Sequence, residues 1–541
     1  MALENFTEQE RQILSKYVTN LDSDVYCVKN LPEEVVAVLF AYVSRSNNTF
    51  RQNLLKLLGS GEISISSRDS TYSDDIYSED ATAKAKKTAK EFHEKWVVGY
   101  GHASVAEHAD VKIAIDSLSN VATKMVEHNR LGRYTEKSSR YVKFSKDNYY
   151  TPPKIARDES FSKKYKEACD HLLDTYDDLY DKIVAYVMER MPQEKGVSDG
   201  AYKSSVKAKT CDVVRYLLPA STITSVGVSM NARALAYSIK QLLSSPLEEF
   251  QELGQKIKTE AELICPALLK YAEFDPMMHD VPLAARKLAD FVFVGTEIEK
   301  PRRPVELVHY DKDVVDKIAA SILYKHSNLP YHQVYERVQK MSSQEKEKIF
   351  DTYHLSKGKF NIPLEEFEHG NFTFDMIMDF GAFRDVQRHR TCIQSDQLIT
   401  ADHGYDTPED IIKAGCQKQY QAAMEKAAQA YNAIRKKYPH EAQYVVPNGY
   451  RKRVLITWDL RGLENFIRLR SSPHGHESYR RIAQQTYDEL ARISPLLVKY
   501  LSVDKNEYYL GRLKSEVAKH EKIDELKKKY GEQAVVTEGN Q

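Results

Sequence analysis

The sequence predicts an α/β (α+β) chain made of two copies of one domain. Three observations carry this: motifs that recur at fixed offsets, apolar residues at helical spacing, and short alternating stretches. Val25-Tyr26-Cys27-Val28-Lys29-Asn30 precedes an apolar, helix-like stretch ending in Ser46-Asn47-Asn48, and Val305-Glu306-Leu307-Val308-His309-Tyr310 precedes one ending in His326-Ser327-Asn328. Glu107-His108 returns as Glu368-His369. Arg215-Tyr216-Leu217-Leu218-Pro219 returns as Gln443-Tyr444-Val445-Val446-Pro447, and Asn231-x-Arg233 as Asp459-x-Arg461, both 228 positions later. Pro266–Tyr271 mirrors Pro495–Tyr500. Collinear matches that include Pro and Arg positions are the signature of duplication. The reading is a first repeat over 1–275, a linker over 276–304 and a second repeat over 305–541. The Pro- and charge-rich stretch Glu297–Pro304 forms the joint. The offsets shrink along the chain, so the first repeat carries longer insertions, mainly between 145 and 210.

The elements follow from periodicity. Helices are predicted over Leu118–Leu131, Phe380–Arg390, Ala234–Leu243, Leu463–Leu469, 250–271 and 479–500. Val111–Ile115 and Phe372–Met376 alternate like strands. The tail after Lys514, with Lys527-Lys528-Lys529, reads as a solvated helix or frayed end.

Composition narrows the function. The 541 residues are 42% hydrophobic and 29% charged, enough to bury a sizeable core. Lys plus Arg and Asp plus Glu both total 78, so a bulk-electrostatic nucleic-acid or membrane binder is not expected. The first residues, Met1–Asn5, lack a basic region followed by an apolar one, and no apolar run approaches the ~20 residues of a membrane helix. Six scattered cysteines with no CxxC pair suggest neither a zinc site nor a disulfide framework. A cytoplasmic location is the expectation.

The chemistry-bearing motifs are Gly101-His102-Ala103-Ser104-Val105-Ala106-Glu107-His108, then Arg388-His389-Arg390 answered by His128-Asn129-Arg130, then Glu136-Lys137-Ser138-Ser139-Arg140-Tyr141. Asn465, Arg470 and His474 follow Asp459-x-Arg461. Arginine offers a planar fork of donors that fits phosphate bidentately, so the pattern points to anion binding.

In this order the motifs resemble those of the flavin-dependent thymidylate synthases, over both halves of the chain. The resemblance implies two copies of that fold, an antiparallel sheet flanked by helices. It implies reductive methylation of dUMP to dTMP with FAD, NADPH as reductant and methylenetetrahydrofolate as one-carbon donor. Glu136, Ser138, Arg140, Arg215, Arg388 and Arg470 would bind substrate, with Arg470 and Ser138 catalytic. His108, His369, Arg388, His389, Arg390, Asn231, Arg233, Arg461, Asn465 and His474 would hold the flavin. No metal is expected. Family sites are shared between subunits, and the losses here are complementary. The second repeat has Asp396, Leu398, Thr400 and Gln443 where the first keeps Glu136, Ser138, Arg140 and Arg215. The first has His128 and Leu242 where the second keeps Arg388 and Arg470. One composite site per pair of repeats follows, with a homodimer rebuilding a pseudo-tetramer.

Three departures stand out: Asp385 where the family often has Gln, Arg133 where Ser is common, and Asp459 for the first Asn of Asn-x-Arg. The 394–416 segment is unlike the family, as a new lid or a substitute wall would be. Competing readings are a degenerate flavin- or nucleotide-binding paralogue, a metal-dependent hydrolase using His474-Gly475-His476-Glu477 or His102/His108, and an RNA-touching interaction protein.

Overall fold

The computed structural model describes residues 6–43, 46–59, 103–299, 302–358 and 361–530. Gly101, His102 and Met1–Asn5 lie outside them. The chain divides into two compact units. One comprises residues up to 118, 125–136 and 224–296; the other comprises 119–124, 137–223 and 297 onward.

In the first unit, strands β1 (Asp110–Ser119), β2 (Arg133–Glu136) and β3 (Ile223–Asn231) form a sheet of order β1-β3-β2. β2 runs antiparallel to β3, with Arg133 opposite Ser229 and Glu136 opposite Val226. Asn231 ends β3 and caps the next helix, Ala232–Leu243, its side chain accepting from the Ala234 amide at 2.8 Å. A short polar side chain at this position satisfies one of the helix's orphan N–H groups. Val35, Val38 and Leu39 of the Glu33–Val43 helix pack with Leu54, Leu55 and Leu58 in a separate apolar cluster.

In the second unit, β4 (Val305–Tyr310), β5 (Asn371–Asp379), β6 (Ile393–Asp396) and β7 (Arg451–Asp459) form an antiparallel sheet of order β4-β5-β7-β6. Matching strands in the two units therefore keep one order, and β4 adds an edge. Its first-repeat counterpart, 25–30, makes only the isolated bridge Val18–Val28 among the described residues. Buried Trp458 stacks on Phe466 at 5.0 Å and meets Phe374 edge-on, filling the space between sheet and helices.

The repeated Leu-Pro and Val-Pro segments pair with each other inside this unit. Pro219 bridges Pro447 in antiparallel sense. Ala220 donates to the Val446 carbonyl and Asn448 to that of Leu218, both at 2.9 Å. Ser221 donates to Tyr444, and Gly449 to Tyr216, again at 2.9 Å. Each bond has its mate 228 positions away, as two copies facing across a local two-fold require. The helices Asn120–Val126 and Phe380–Val386 hang from this core in the same manner. Asn120 and Val121 donate to the carbonyls of Thr222 and Ala220, and Phe380 and Gly381 to those of Tyr450 and Asn448.

Helix ends differ from the expectation. Leu118 lies inside β1, and the helix covers only Asn120–Val126; Phe380–Val386 likewise stops before Arg388. Stretch 250–271 splits into Glu248–Glu262 and Pro266–Leu269, and 479–500 into Glu477–Ile493 and Pro495–Val498. In both cases proline, which has no amide hydrogen, begins the new turn. The 145–210 insertion is the 32-residue helix Glu159–Arg190 with Asp199–Val214 behind it. Among the described residues no helix is long and apolar enough to cross a membrane.

Asn448 is fully buried, and its side-chain amide donates to the Arg215 carbonyl at 3.2 Å. Asn448→Ala removes that bond and leaves the carbonyl only the Leu218 amide at 3.1 Å, so it should cost about 0.5–1.5 kcal/mol, seen as a lower denaturant midpoint.

Candidate functional site

An arginine cluster forms in the second unit where the paired Pro219/Pro447 segments meet the Phe380–Val386 and Glu477–Ile493 helices. Arg140 grips Asp212 bidentately, Nε to Oδ1 at 2.8 Å and Nη2 to Oδ2 at 2.9 Å. It also donates to the Tyr479 hydroxyl and to the His474 carbonyl. Arg512 reaches the same Asp212 at 3.0 Å and the Arg140 carbonyl at 3.2 Å. Arg470 donates through Nε to His389 Nε2 at 2.7 Å and pairs with Asp385 at 3.4 Å. Asp385 faces Arg215 at 3.7 Å on its other side. The Arg140 and Arg470 guanidiniums lie 5.3 and 5.4 Å from the centroid of one Tyr479 ring, within cation–π range.

The electrostatics follow from this packing. Burial alone would raise the Asp385 carboxyl, but the charges of Arg215, Arg140, Arg470 and Arg388 hold it below the ordinary carboxylate range. Asp212 is held well down against the same burial effect by Arg140 and Arg512. Burial, aided by Arg470, pushes His389 down to about 3, so its imidazole is neutral and Nε2 is the acceptor. Arg140, Arg215, Arg388, Arg470 and Arg512 gather around Asp212 and Asp385, with Asp379 near Arg215, and still leave an excess of positive charge. Arg215 is only 2% exposed, and its Nε and Nη2 have no hydrogen-bond partner. Orphaned N–H groups on a buried cation are costly, and an incoming anion would satisfy them.

Several expected residues lie elsewhere or act differently. Glu136, His108, Asn231 and Arg233 belong to the first unit. There Glu136 ends β2, His108 packs edge-on to Phe40, and Arg233 pairs with Glu107 at 2.5 Å. Arg461 makes the matching pair with Glu368 in the second unit and donates to the Pro363 carbonyl. Asp459 caps its helix through the Gly462 amide at 2.6 Å, as Asn231 does in the other copy. Arg133 reaches Asp110 at 3.2 Å. Ser138 Oγ accepts from the Arg140 amide at 3.2 Å, fixing the turn that presents Arg140. Arg388, Arg390, His369 and His474 are exposed, and Asn465 accepts from Arg468. His474 contributes its carbonyl to the cluster, whereas His476 is the buried imidazole, 3.0 Å from the Asp212 carbonyl.

The counterparts of the cluster in the second repeat are used structurally. Asp396 pairs with Lys452 at 2.8 Å, and Gln443 accepts from the Ile399 amide at 3.0 Å. Leu242 is buried in the first unit's core.

A cavity of about 950 Å³ opens beside the cluster and shares Asp212, His476 and Arg512 with it. Part of the 394–416 segment forms a wall. Asp406 there accepts from Arg451 Nε at 2.7 Å, and Asp410 pairs with Arg190 and Lys209 at 2.9 and 2.8 Å. Sequence reasoning missed Asp212, Tyr479 and Arg512, and singled out His476 only as a metal ligand of the hydrolase reading. Arg512 precedes a tail read as solvated, and its helix, Leu513–Tyr530, packs on Asp199–Val214.

The family model described as thymidylate synthase complementing protein matches residues 54–267 and again 306–496. The chain belongs to this family. Two matches in one chain make it a tandem-duplicated member of the thymidylate synthase complementing proteins. A UPF0159 protein of Chlamydia muridarum is 36% identical over 95% of this chain and 98% of its own length. One of Thermoplasma acidophilum is 30% identical, covering 81% and 93%. A flavin-dependent thymidylate synthase of Clostridium tetani is 27% identical over 32% of this chain and 68% of its own. A crystal structure of the flavin-dependent thymidylate synthase from Helicobacter pylori, complexed with FAD and dUMP, matches 37% of this chain and all of its own at 16% identity and a TM-score of 0.28.

In this family member Asp379 adjoins the cluster, accepting from Ser478 Oγ and the Ala382 amide. Burial pushes its carboxyl up to about 6 against the pull of Arg215, and Asp406 adds to the rise. Between 3.8 and about 6 the unfolded chain therefore loses this proton first, and stability falls as pH rises through that window. Asp379→Asn stays neutral throughout. Melting curves at pH 5 and pH 7.5 should show the variant gaining several degrees on the native chain at the higher pH.

Proposed function

We propose that the cluster is a single composite nucleotide site at which dUMP is reductively methylated to dTMP. The observation that carries this reading is the buried Arg215 with two unpartnered donors, set beside Arg140 of its own repeat and Arg470 of the other. Arg215 holds the 5′-phosphate through its two unpartnered donors, a fork that matches two phosphate oxygens, and Arg140, whose own fork is taken by Asp212, adds its charge beside it. Arg470, kept in place by neutral His389, directs its remaining donors at the base carbonyl. Ser138 sets the turn behind Arg140 and supplies a hydroxyl at the phosphate. Asp385 accepts hydrogen bonds only, so it takes the base N3–H and keeps the base oriented. Among the expected flavin contacts, exposed Arg388, Arg390 and His474 fit an anionic dinucleotide. His389, by contrast, supports Arg470. Bound FAD, reduced by NADPH, would supply the hydride that completes the methyl group brought by methylenetetrahydrofolate. Asp396 and Gln443 have structural partners, which supports one working site per chain.

A second reading has its own observation. Arg140 is bound bidentately by Asp212, which suits a protein that binds flavin or nucleotide without turning it over. The absorbance spectrum separates the two. Purified chain with a flavin spectrum that shifts on adding dUMP, and that forms dTMP with NADPH and methylenetetrahydrofolate, supports synthesis. A yellow protein without dTMP supports binding alone, and a colourless protein indifferent to dUMP rejects both. Arg470→Ala should weaken dUMP binding at least about tenfold, the equivalent of one charge-assisted contact, while Leu242→Met should change it less than about twofold. Equal effects in a dUMP titration would count against the composite site.

A further inference from the structure

The helix Pro276–Val292, in the first unit, has no buried residue. Its start is anchored. Asp275 caps it through the Met277 and Met278 amides, and His279 Nδ1 lies 3.0 Å from the Ser244 carbonyl. On the opposite side Met277, Val281, Ala284, Leu288 and Phe291 recur at alternating intervals of four and three, forming one seam about 21 Å long. Met277 is 66% exposed, Val281 57%, Leu288 62% and Phe291 79%. So long an exposed apolar stripe marks an interaction surface. Pro282 breaks the helical ladder on a face turned away from the seam.

The charges beside the seam identify the partner. Asp280 and Lys287 lie on the same flank, one on each side of Ala284. We propose that the seam docks against the same helix of a second copy of this chain, antiparallel, about a two-fold axis near Ala284. That operation sets Met277 against Phe291 and Val281 against Leu288 of the second copy. Small Ala284 faces its own equivalent and lets the helices approach closely. Asp280 then meets Lys287 twice, once on each side of the axis, as an isologous contact requires. A lipid surface would not reward Asp280 beside the apolar stripe.

Sedimentation and light scattering of the full chain test this. The native chain should show a concentration-dependent dimer, and Leu288→Glu should dissociate it. Asp280→Lys and Lys287→Asp should each weaken dimerisation about tenfold, because two attractions become two repulsions. The double variant Asp280→Lys/Lys287→Asp should restore it. Ala284→Cys in a Cys27→Ser background should give a disulfide-linked dimer on mild oxidation where Cys27→Ser alone gives none, Cys27 being the exposed cysteine among the described residues. A chain monomeric at every concentration would overturn the proposal, whether another segment of the chain or a vesicle covers the seam. So would a dimer that ignores the charge swaps and fails to cross-link through position 284.

Discussion

Main-chain pairing of Tyr216–Ser221 with Tyr444–Gly449 is the constraint on which the second unit is built. The hydrogen bonds across Pro219 and Pro447 fix two homologous segments against each other without help from side chains. Arg215 immediately precedes this ladder, so its direction is set by backbone, and Asn448 holds its carbonyl from the opposing segment. The helix that carries Asp385 starts from the same ladder, through Asn448 and Tyr450. The distance between Arg215 and Asp385 is thus a property of the backbone frame, which keeps a buried cation in place despite its desolvation cost.

Two carboxylates make the cluster tolerable before any ligand arrives. Arg140, Arg215, Arg470 and Arg512 placed together alone would repel one another in a medium of low dielectric. Asp212 bridges Arg140 and Arg512, and Asp385 bridges Arg215 and Arg470. The second bridge rests on Asp385, a position where the resemblance leads one to expect a neutral amide. Tyr479 serves both halves, with a hydroxyl for one guanidinium and a ring face for both.

Much of this was legible before any coordinates, and the reason is repetition. The offset shared by Leu218/Val446 and Pro219/Pro447 reappears as the spacing between hydrogen-bonded mates, because homologous segments about a two-fold must pair with themselves. Arg140, Arg215 and Arg470 were singled out by their motifs, and the fold brings them together. Asp212, Tyr479 and Arg512 were not, because an ordinary helical Asp and a tail Arg acquire meaning only through tertiary neighbours. Helix lengths failed where strand residues are as apolar as helix residues, so Leu118 carried no boundary signal. Asp459 departs from the Asn of the resembled motif, yet a helix start accepts Asp as readily as Asn.

Joining both copies in one polypeptide also changes what mutation can do. In an assembly of identical subunits every substitution lands twice about the axis, so a pocket cannot be spoiled on one side while being spared on the other. A single chain escapes that rule. Gln443 holds the Ile399 amide and Asp396 tethers Lys452, while their counterparts Arg215 and Glu136 have other surroundings. The local two-fold at Pro219 and Pro447 is thus a record of shared ancestry, and the side chains around it are no longer obliged to match.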